Sequence, residues 1–159
     1  MLRQSEFSIY INTIKIVLYM LKLTRKVEYA LIALRYMQRN REGNCASAKE
    51  ISNLYNIPLP LLSKILQNLS RANIIRAVQG PHGGYLLNAN PEKLSMTKLI
   101  NILEGPLGII DCSIDSECTQ LDTCNIKTPI TKVNNAIISL LNNITLADIS
   151  EKLPSGLKA

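Results

Sequence analysis

The stretch SAKEISNLYNIPLPLLSKILQNLSRANIIRAVQGPHGGYLL, residues 47–87, decides the fold. It begins with Ser47 and has Glu50 three residues later, which is the spacing of a capping box at the start of a helix. The segment Asn56-Ile57-Pro58 ends that helix, because proline disfavours helical geometry in the residue before it. The sequence therefore predicts a short helix whose buried stripe consists of Ile51, Leu54 and Tyr55.

A second helix is predicted from Leu59 to Ala72. Four apolar side chains recur at helical spacing and are expected to face inward, namely Leu62, Ile65, Leu66 and Leu69. The opposite face is polar and carries Ser63, Lys64, Gln67 and Arg71. Two helices joined by a short turn also occur as an ordinary helical hairpin, so this pair alone supports DNA recognition only weakly.

The residues that follow predict a β-hairpin. Ile74 to Gln79 alternates as a strand, Gly80-Pro81-His82-Gly83-Gly84 forms a tight turn, and Tyr85 to Leu87 returns as a second strand. Helix, turn, helix and hairpin together make a winged helix, in which one helix enters the major groove and the wing reaches the backbone or minor groove. The candidate DNA contacts are Ser47, Pro60, Ser63, Lys64, Gln67, Arg71, Arg76, Gln79 and His82.

A second interpretation of the glycine-rich turn is a nucleotide-binding or catalytic element. The turn matches neither the dinucleotide-binding nor the P-loop pattern, and no Lys-Ser or Lys-Thr follows it. His82 is the single histidine, and nothing around it supplies a nucleophile together with an orienting carboxylate. We therefore expect His82 to lie near phosphate in the wing, and we do not expect an enzyme.

Charge is divided unevenly along the chain. Residues 20–80 carry ten Lys or Arg and three Glu, whereas residues 81–159 carry six Lys or Arg and eight acidic residues. A basic half is the electrostatic footprint of phosphate binding, although a solvated basic face has the same composition. A hydrophobic content of 47%, with one Phe and no Trp, indicates a single, mainly helical domain with an aliphatic core.

Three further helices are predicted around this stretch. Val27 to Met37 precedes it, Ser95 to Glu104 follows it and ends at Gly105-Pro106, and Thr128 to Ile144 makes a long helix. The long helix carries an apolar face of Ile130, Val133, Ile137, Leu140 and Leu141. Because this face is too apolar for a lone exposed helix, we expect it to pair with its twin in a homodimer.

The N-terminal region does not predict a membrane span. Residues 9–23 are rich in Ile, Leu and Tyr, but polar residues interrupt them and the run is shorter than the roughly 20 residues required. The pattern restarts at Met20, so residues 1–19 are interpreted as an extension, a targeting remnant or the result of a misassigned start, and we favour the misassigned start. The predicted division is an extension at 1–19, a winged helix-turn-helix domain at 20–90, a connecting helix and cysteine segment at 91–127, and a dimerisation helix with its tail at 128–159.

Four cysteines without a cleavable signal indicate a reducing compartment, the cytoplasm or alternatively a plastid stroma. Cys112, Cys118 and Cys124 are evenly spaced in a polar segment, while Cys45 stands apart and is expected to be an incidental thiol. Structural zinc ligands are usually two to four residues apart, whereas wider gaps suit a larger iron–sulphur cluster. Spacing favours the cluster and leaves zinc and redox thiols open.

Several motifs together resemble a known family. They are LTRKVEYA at residues 23–30, GPHGGY at 80–85, the three cysteines, and LNNITL at 141–146. In this combination the chain, from Met20 to Glu151, resembles the bacterial IscR and NsrR regulators, which belong to the Rrf2 family of winged-helix transcription factors.

The resemblance implies a homodimer, crossed by its long C-terminal helix, that binds a partly palindromic DNA operator. It also implies one iron–sulphur cluster per subunit, of two or four irons, held by Cys112, Cys118 and Cys124, with the state of the cluster setting operator affinity. IscR-like members supply a histidine three residues after the last cysteine, but Lys127 stands there. Glu28 matches the position from which NsrR-like members offer a carboxylate across the dimer, and the alternative is an ordinary exposed or ion-paired glutamate.

Two departures from the IscR pattern concern DNA reading, because Gln79 replaces an arginine of the wing and Ser63 replaces a glutamate of the recognition helix. The operator sequence of relatives is therefore not expected to transfer. Two other functions remain open. One is a cluster-free regulator controlled by a partner protein or by thiol oxidation, as in relatives of the CymR kind, and the other is a winged helix used only as an interaction module.

Overall fold

The computed structural model describes residues 23–39, 45–81, 83–108 and 123–150. Within these residues the chain forms six α-helices and a two-stranded antiparallel sheet. In chain order they are α1 (Arg25–Arg39), α2 (Ala48–Tyr55), α3 (Leu59–Arg71), β1 (Ile75–Val78), β2 (Gly84–Leu87), α4 (Met96–Glu104), α5 (Lys127–Asn143) and α6 (Leu146–Ser150), with a 3-10 turn at Pro91–Lys93. The predicted fold class, mainly helical with a small β wing, is confirmed.

The ends of α2 are set by local hydrogen bonds. The Glu50 backbone N–H donates to Ser47 Oγ at 3.1 Å, and the Ser47 backbone N–H donates to the Glu50 carboxylate at 3.3 Å, which confirms the capping box. The helix ends at Asn56, whose φ of 53° is left-handed, a conformation that asparagine tolerates better than most residues. Pro58 then precedes α3, so the turn between the two helices is short.

The prediction of a buried stripe on α2 is wrong for two of its three residues. Ile51 is buried, but Leu54 is 60% exposed and Tyr55 is 39% exposed. The buried position is taken by Ser52, whose hydroxyl donates to the Ile57 carbonyl at 2.7 Å. Because successive residues are about 100° apart around a helix, burying Ile51 and Ser52 turns Leu54 towards solvent.

The wing is joined to the start of α2. Strands β1 and β2 pair in register from Ile75 opposite Leu87 to Val78 opposite Gly84. On the other side of β2, the backbones of Ala46 and Tyr85 exchange two hydrogen bonds, of 3.0 and 2.9 Å. Residue 46 therefore forms a β-bridge to the outer edge of β2. The segment that caps α2 is in this way also bonded to the wing.

One aliphatic core joins α1, α3 and α4. Its members are at most 6% exposed; they are Val27, Ala30, Ala33, Leu34, Met37, Ala46, Ile51, Ile57, Leu62, Ile65, Leu66, Leu69, Ile74, Ile75, Leu94, Met96, Leu99, Ile100, Leu103 and Leu146. The residue after α5 and the first residue of α6 return to this core, because the Met96 N–H donates to the Ile144 carbonyl at 2.8 Å and the Leu146 N–H donates to the Leu94 carbonyl at 2.9 Å. Leu146 of α6 thus belongs to the same core as α3.

Helix α5 lies against α4 but keeps much of its apolar face uncovered. Asn134 is its one buried side chain, and the Thr97 hydroxyl of α4 donates to the Ile138 carbonyl at 3.4 Å. Val133 is 49% exposed, and Ile130 and Ile137 are half-buried. In the part of the chain that the structure describes, no helix is long and apolar enough to cross a membrane.

Candidate DNA-binding face and metal ligands

The two faces of α3 differ as the sequence predicts. Leu62, Ile65, Leu66 and Leu69 are at most 1% exposed, which confirms the inward face. On the opposite face Lys64, Gln67 and Arg71 are exposed, and Pro60 is exposed at the second position of the helix. Ser63 is half-buried at the edge of this face. The structure thus brings five of the predicted DNA contacts onto one side of one helix.

An open cleft separates α3 from the wing. Its lining consists of Gln67, Ser70 and Arg71 from the helix and Ala77 and Tyr85 from the two strands. Ser70 and Tyr85 are not among the residues predicted from the sequence. The signal for Ser70 is its position three residues after Gln67, which places both on one helix face, whereas nothing in the sequence alone places Tyr85 beside the helix.

Two of the DNA contacts predicted in the wing lie within the residues that the structure describes. Arg76 and Gln79 are both exposed, Arg76 within β1 and Gln79 directly after it. Because side chains alternate along a strand, Arg76 lies on the face of the hairpin opposite to Ala77, which lines the cleft. His82 lies outside the described residues. Arg76 and the cleft residues therefore present polar groups to two sides of the wing.

Ser47 has a structural role that limits its use as a contact. Its oxygen accepts the Glu50 N–H at the first turn of α2. A serine hydroxyl that accepts one hydrogen bond still has its own proton to donate, so a phosphate oxygen is a suitable second partner. Loss of the side chain would nevertheless affect the α2 N-terminus before it affected any ligand.

The predicted metal ligands are only partly within the described residues. Cys124 is a half-buried free thiol just before α5, whereas Cys112 and Cys118 lie outside the described residues. Glu28 lies in the first turn of α1, where its carboxylate accepts from Arg25 Nη1 at 2.9 Å while 41% of its side chain stays exposed. Across residues 23–39, 45–81, 83–108 and 123–150, no three His, Cys, Asp or Glu side chains converge as a metal site.

The start of α5 is electrostatically suited to a negative group. Ile126 occupies the N-cap position and supplies no side-chain cap, and the first turn carries Lys127 and no acidic residue. The backbone N–H groups of a helix N-terminus carry partial positive charge. Cys124 precedes the N-cap residue by two positions, so its side chain lies close in sequence to this end of α5.

A polar cluster ties α1 to the residue from which the chain leaves α4. The Thr24 hydroxyl donates to Glu104, and Lys26 Nζ lies 3.2 Å from Glu104 Oε2. These contacts lower the pKa of the Glu104 carboxyl from its ordinary value, the Thr24 hydrogen bond contributing most. The cluster fixes the N-terminus of α1, which carries Glu28, against the end of α4, and the sequence pattern alone does not identify it.

A helix-turn-helix, with an exposed polar recognition face and an adjoining two-stranded wing, defines a winged-helix DNA-binding protein. Residues 23–152 match the Rrf2 family, described as iron-dependent transcriptional regulators. The match covers most of the chain, and the chain belongs to this family. Members are transcription regulators, which are generally not enzymes.

Solved structures of similar proteins agree with this assignment. IscR from T. potens is 26% identical with a TM-score of 0.63, and the match covers 81% of this chain and 85% of that one. CymR from Staphylococcus aureus is 27% identical with a TM-score of 0.64, covering 83% of this chain and 100% of that one. CymR of B. subtilis, its global cysteine regulator, is 22% identical with a TM-score of 0.65 over 82% of this chain and 96% of that one, and supports the fold alone.

Proposed function

We propose that this protein is a sequence-specific DNA-binding transcriptional regulator whose operator affinity is gated by an iron–sulphur cluster. The observation that carries the DNA-binding part is the exposed face of α3, where Lys64, Gln67 and Arg71 lie together beside the wing. A helix of this kind fits the major groove, and its cationic side chains neutralise phosphates. The reducing compartment expected from the cysteines, cytoplasm or plastid stroma, belongs to the same proposal.

The side chains divide by chemistry into positioning and reading groups. Lys64, Arg71 and Arg76 supply cations for phosphates, and Gln67 and Gln79 supply amides that pair with base edges. Ser47, Pro60 and Ser63 lie near the N-terminal ends of α2 and α3. His82, which lies outside the described residues, is proposed from the sequence as a further contact. Within the division proposed from the sequence, all these residues belong to the winged-helix domain at 20–90.

Helix α5 is proposed to form the homodimer that the family typically uses. Val133 is 49% exposed and is flanked by the half-buried Ile130 and Ile137 on the same helix face. Burying such a stripe against its own copy removes apolar surface from water in both protomers at once. The two recognition helices would then be related by a two-fold axis and read a partly palindromic operator.

The proposed cluster ligands are Cys112, Cys118 and Cys124, with Glu28 as the fourth. The donor set fits, because thiolates are the usual ligands of iron–sulphur clusters and the described thiol, Cys124, lies beside the uncapped, Lys127-bearing start of α5. Glu28 is accessible, and its ion pair with the 77% exposed Arg25 is a weak surface contact that a stronger ligand interaction would replace. When bound, the cluster supplies a centre that responds to iron supply or oxidants.

The chain itself links the cysteine segment to the DNA-binding face. Cys124 leads into α5, α5 packs on α4 through the contact from Thr97 to the Ile138 carbonyl, and α4 packs on α3. A second contact joins the Ser95 hydroxyl and the Asn142 side chain at 3.4 Å. Movement of the start of α5 would therefore reach the recognition helix through packed elements, and would alter the spacing of the two recognition helices in a dimer.

The cluster is tested first by the iron and acid-labile sulphide content of the full chain purified without oxygen. The variants Cys112→Ala, Cys118→Ala and Cys124→Ala should each lose iron and sulphide. Cys45→Ala is the matched control, because Cys45 is a free half-buried thiol beside the wing, and it should keep both. Equal loss in all four variants, or no iron and sulphide in the wild type even after reconstitution, would rule out the proposed ligand set.

The DNA-binding face is tested by charge removal at fixed and varied salt. Lys64→Ala should reduce the slope of log affinity against log salt by about one, the value for each phosphate that the protein no longer neutralises. Lys98→Ala removes the same charge from an exposed position on α4 and should leave the slope unchanged. An identical effect of both variants would mean that total charge, and not the α3 face, determines binding.

A second candidate function is a regulator without a cluster, controlled by thiol oxidation or a partner protein. The similarity to Staphylococcus aureus CymR favours it, since that protein has also been solved in an oxidized form at 27% identity. Under this alternative the wild type contains no iron, and oxidation changes operator affinity. Replacing Cys112, Cys118 and Cys124 together would then abolish the response to oxidants without any change in metal content.

A further inference from the structure

We propose that Leu59, at the first position of the recognition helix, reads the C5-methyl groups of thymines in the operator. This inference rests on the proposed DNA-binding function and adds a base-reading residue that the pattern of polar side chains does not indicate. Leu59 is 40% exposed although it begins the helix whose inward-facing leucines are buried. Pro58 and Pro60, which flank it, are also exposed, so the tip of α3 is apolar.

The position of Leu59 places it on the side of α3 that meets the cleft. Residues four apart lie one above the other on a helix, so Leu59, Ser63 and Gln67 form one row. Gln67 lines the cleft between α3 and the wing together with Ser70. In helix-turn-helix proteins it is the N-terminal residues of the recognition helix that contact base edges. Leu59 therefore lies at the end of α3, and on the side of it, where base contacts are expected.

The chemistry of this tip favours a methyl group over a phosphate. An ordinary helix N-terminus offers free N–H groups to an anion, but Pro60 has no N–H and removes one of these donors. The flanking side chains add no hydroxyl or amide at residues 58–61. In the major groove the apolar feature is the thymine C5-methyl, which marks thymine against the other bases. An exposed leucine at this place matches that feature.

The experiment compares thymine with uracil, which differs only by the methyl group. The full chain first selects a duplex from a random-sequence library, and each thymine of that duplex is then replaced singly by deoxyuridine. Affinities are measured for the wild type and Leu59→Ala at constant salt. Leu54→Ala is the matched control, because Leu54 is an even more exposed leucine, 60%, on α2. Circular dichroism and thermal unfolding establish that each variant is folded.

For at least one thymine, the wild type should bind the uracil duplex about fourfold more weakly, the value of burying one methyl group. Leu59→Ala should bind the thymine duplex about fourfold more weakly than wild type does and should no longer distinguish uracil from thymine, which is full coupling in a double-mutant cycle. Leu54→Ala should distinguish the two bases as the wild type does.

Two outcomes overturn the proposal in different ways. If a specific duplex is selected but Leu59→Ala and wild type lose equal affinity on uracil replacement, or neither loses any, Leu59 does not read a methyl group and the DNA-binding function stands. If no duplex is enriched and binding is not salt-dependent, the DNA-binding function fails, and the role of Leu59 fails with it.

Discussion

Replacing Gly84 by alanine should detach the wing from the start of α2. A Cβ atom at this position would lie 2.7 Å from the Ala46 carbonyl oxygen, 2.8 Å from its carbon and 3.1 Å from Cys45 Cβ. Two of these atoms are backbone and cannot rotate away, so the segment at 45–46 must move. The movement breaks the two hydrogen bonds between Ala46 and Tyr85. At about 1 kcal/mol each, their loss should lower the free energy of unfolding by about 2 kcal/mol.

Thermal unfolding of the full chain measures this loss. For a chain of this length the midpoint should fall by roughly 4–8 °C, and the Ala46 and Tyr85 amides should exchange faster with deuterium. Gly80→Ala is the control, because a Cβ at Gly80 meets nothing within 4 Å and only its φ of 127° opposes the substitution. It should destabilise the turn but leave the Ala46 and Tyr85 amides protected. A Gly84→Ala protein with unchanged midpoint and unchanged exchange would refute the proposed packing.

Three further predictions concern the dimer, pH and the helix-turn-helix. Val133→Asp should convert the proposed dimer to a monomer in sedimentation measurements, because the charge enters the proposed interface twice. Leu54→Asp should not change the oligomeric state, and a dimeric Val133→Asp protein would contradict the proposed interface. Because the folded-state pKa of Glu104 is lowered, its stabilisation is present above the ordinary pKa of 4.5 and is lost as pH falls through the lowered value. Glu104→Gln should therefore weaken the decline of the thermal midpoint below about pH 4.5, and an unchanged profile would exclude the contact. Ser52→Ala should cost about 1–3 kcal/mol in denaturant unfolding by removing the buried donor to the Ile57 carbonyl, and a neutral effect would mean that this bond is not formed.

The helices could be predicted closely because their signals are local. Helix α3 begins at the predicted Leu59, and the long helix, predicted at 128–144, spans 127–143. Helical periodicity, the capping box and the proline after α2 each act within a few residues. By contrast, the Ala46–Tyr85 pairing and the return of α6 to Leu94 join segments that are far apart in sequence, and no periodic pattern records such partners.

For the candidate site, too, the residue types could be predicted from the sequence, whereas the contacts between separate elements could not. The residue types predicted for DNA binding lie on the expected face of α3, since a helix face follows from spacing alone. Ser70 and Tyr85 could not be predicted because a cleft between two elements depends on how the wing is oriented. The pairing of Glu28 with Arg25 could be expected from their i, i+3 spacing, but a ligand role for Glu28 depends on a contact across the proposed dimer, which spacing within one chain does not determine.

Exposure alone does not make an apolar side chain functional. Leu54 illustrates this by comparison with Leu59 and Val133. It is more exposed than Leu59 or Val133, at 60% against 40% and 49%, yet single exposed apolar residues are common on protein surfaces. What separates the other two is their neighbours. Val133 continues an apolar row on α5, and Leu59 continues a row that runs through Ser63 to the cleft between α3 and the wing. All three are exposed aliphatic side chains, and they differ in their position on the fold. Substitutions of Leu54 therefore measure the effect of losing exposed apolar surface alone. Any larger or base-dependent effect at Leu59 or Val133 is then due to contact with DNA or with a second protomer, respectively.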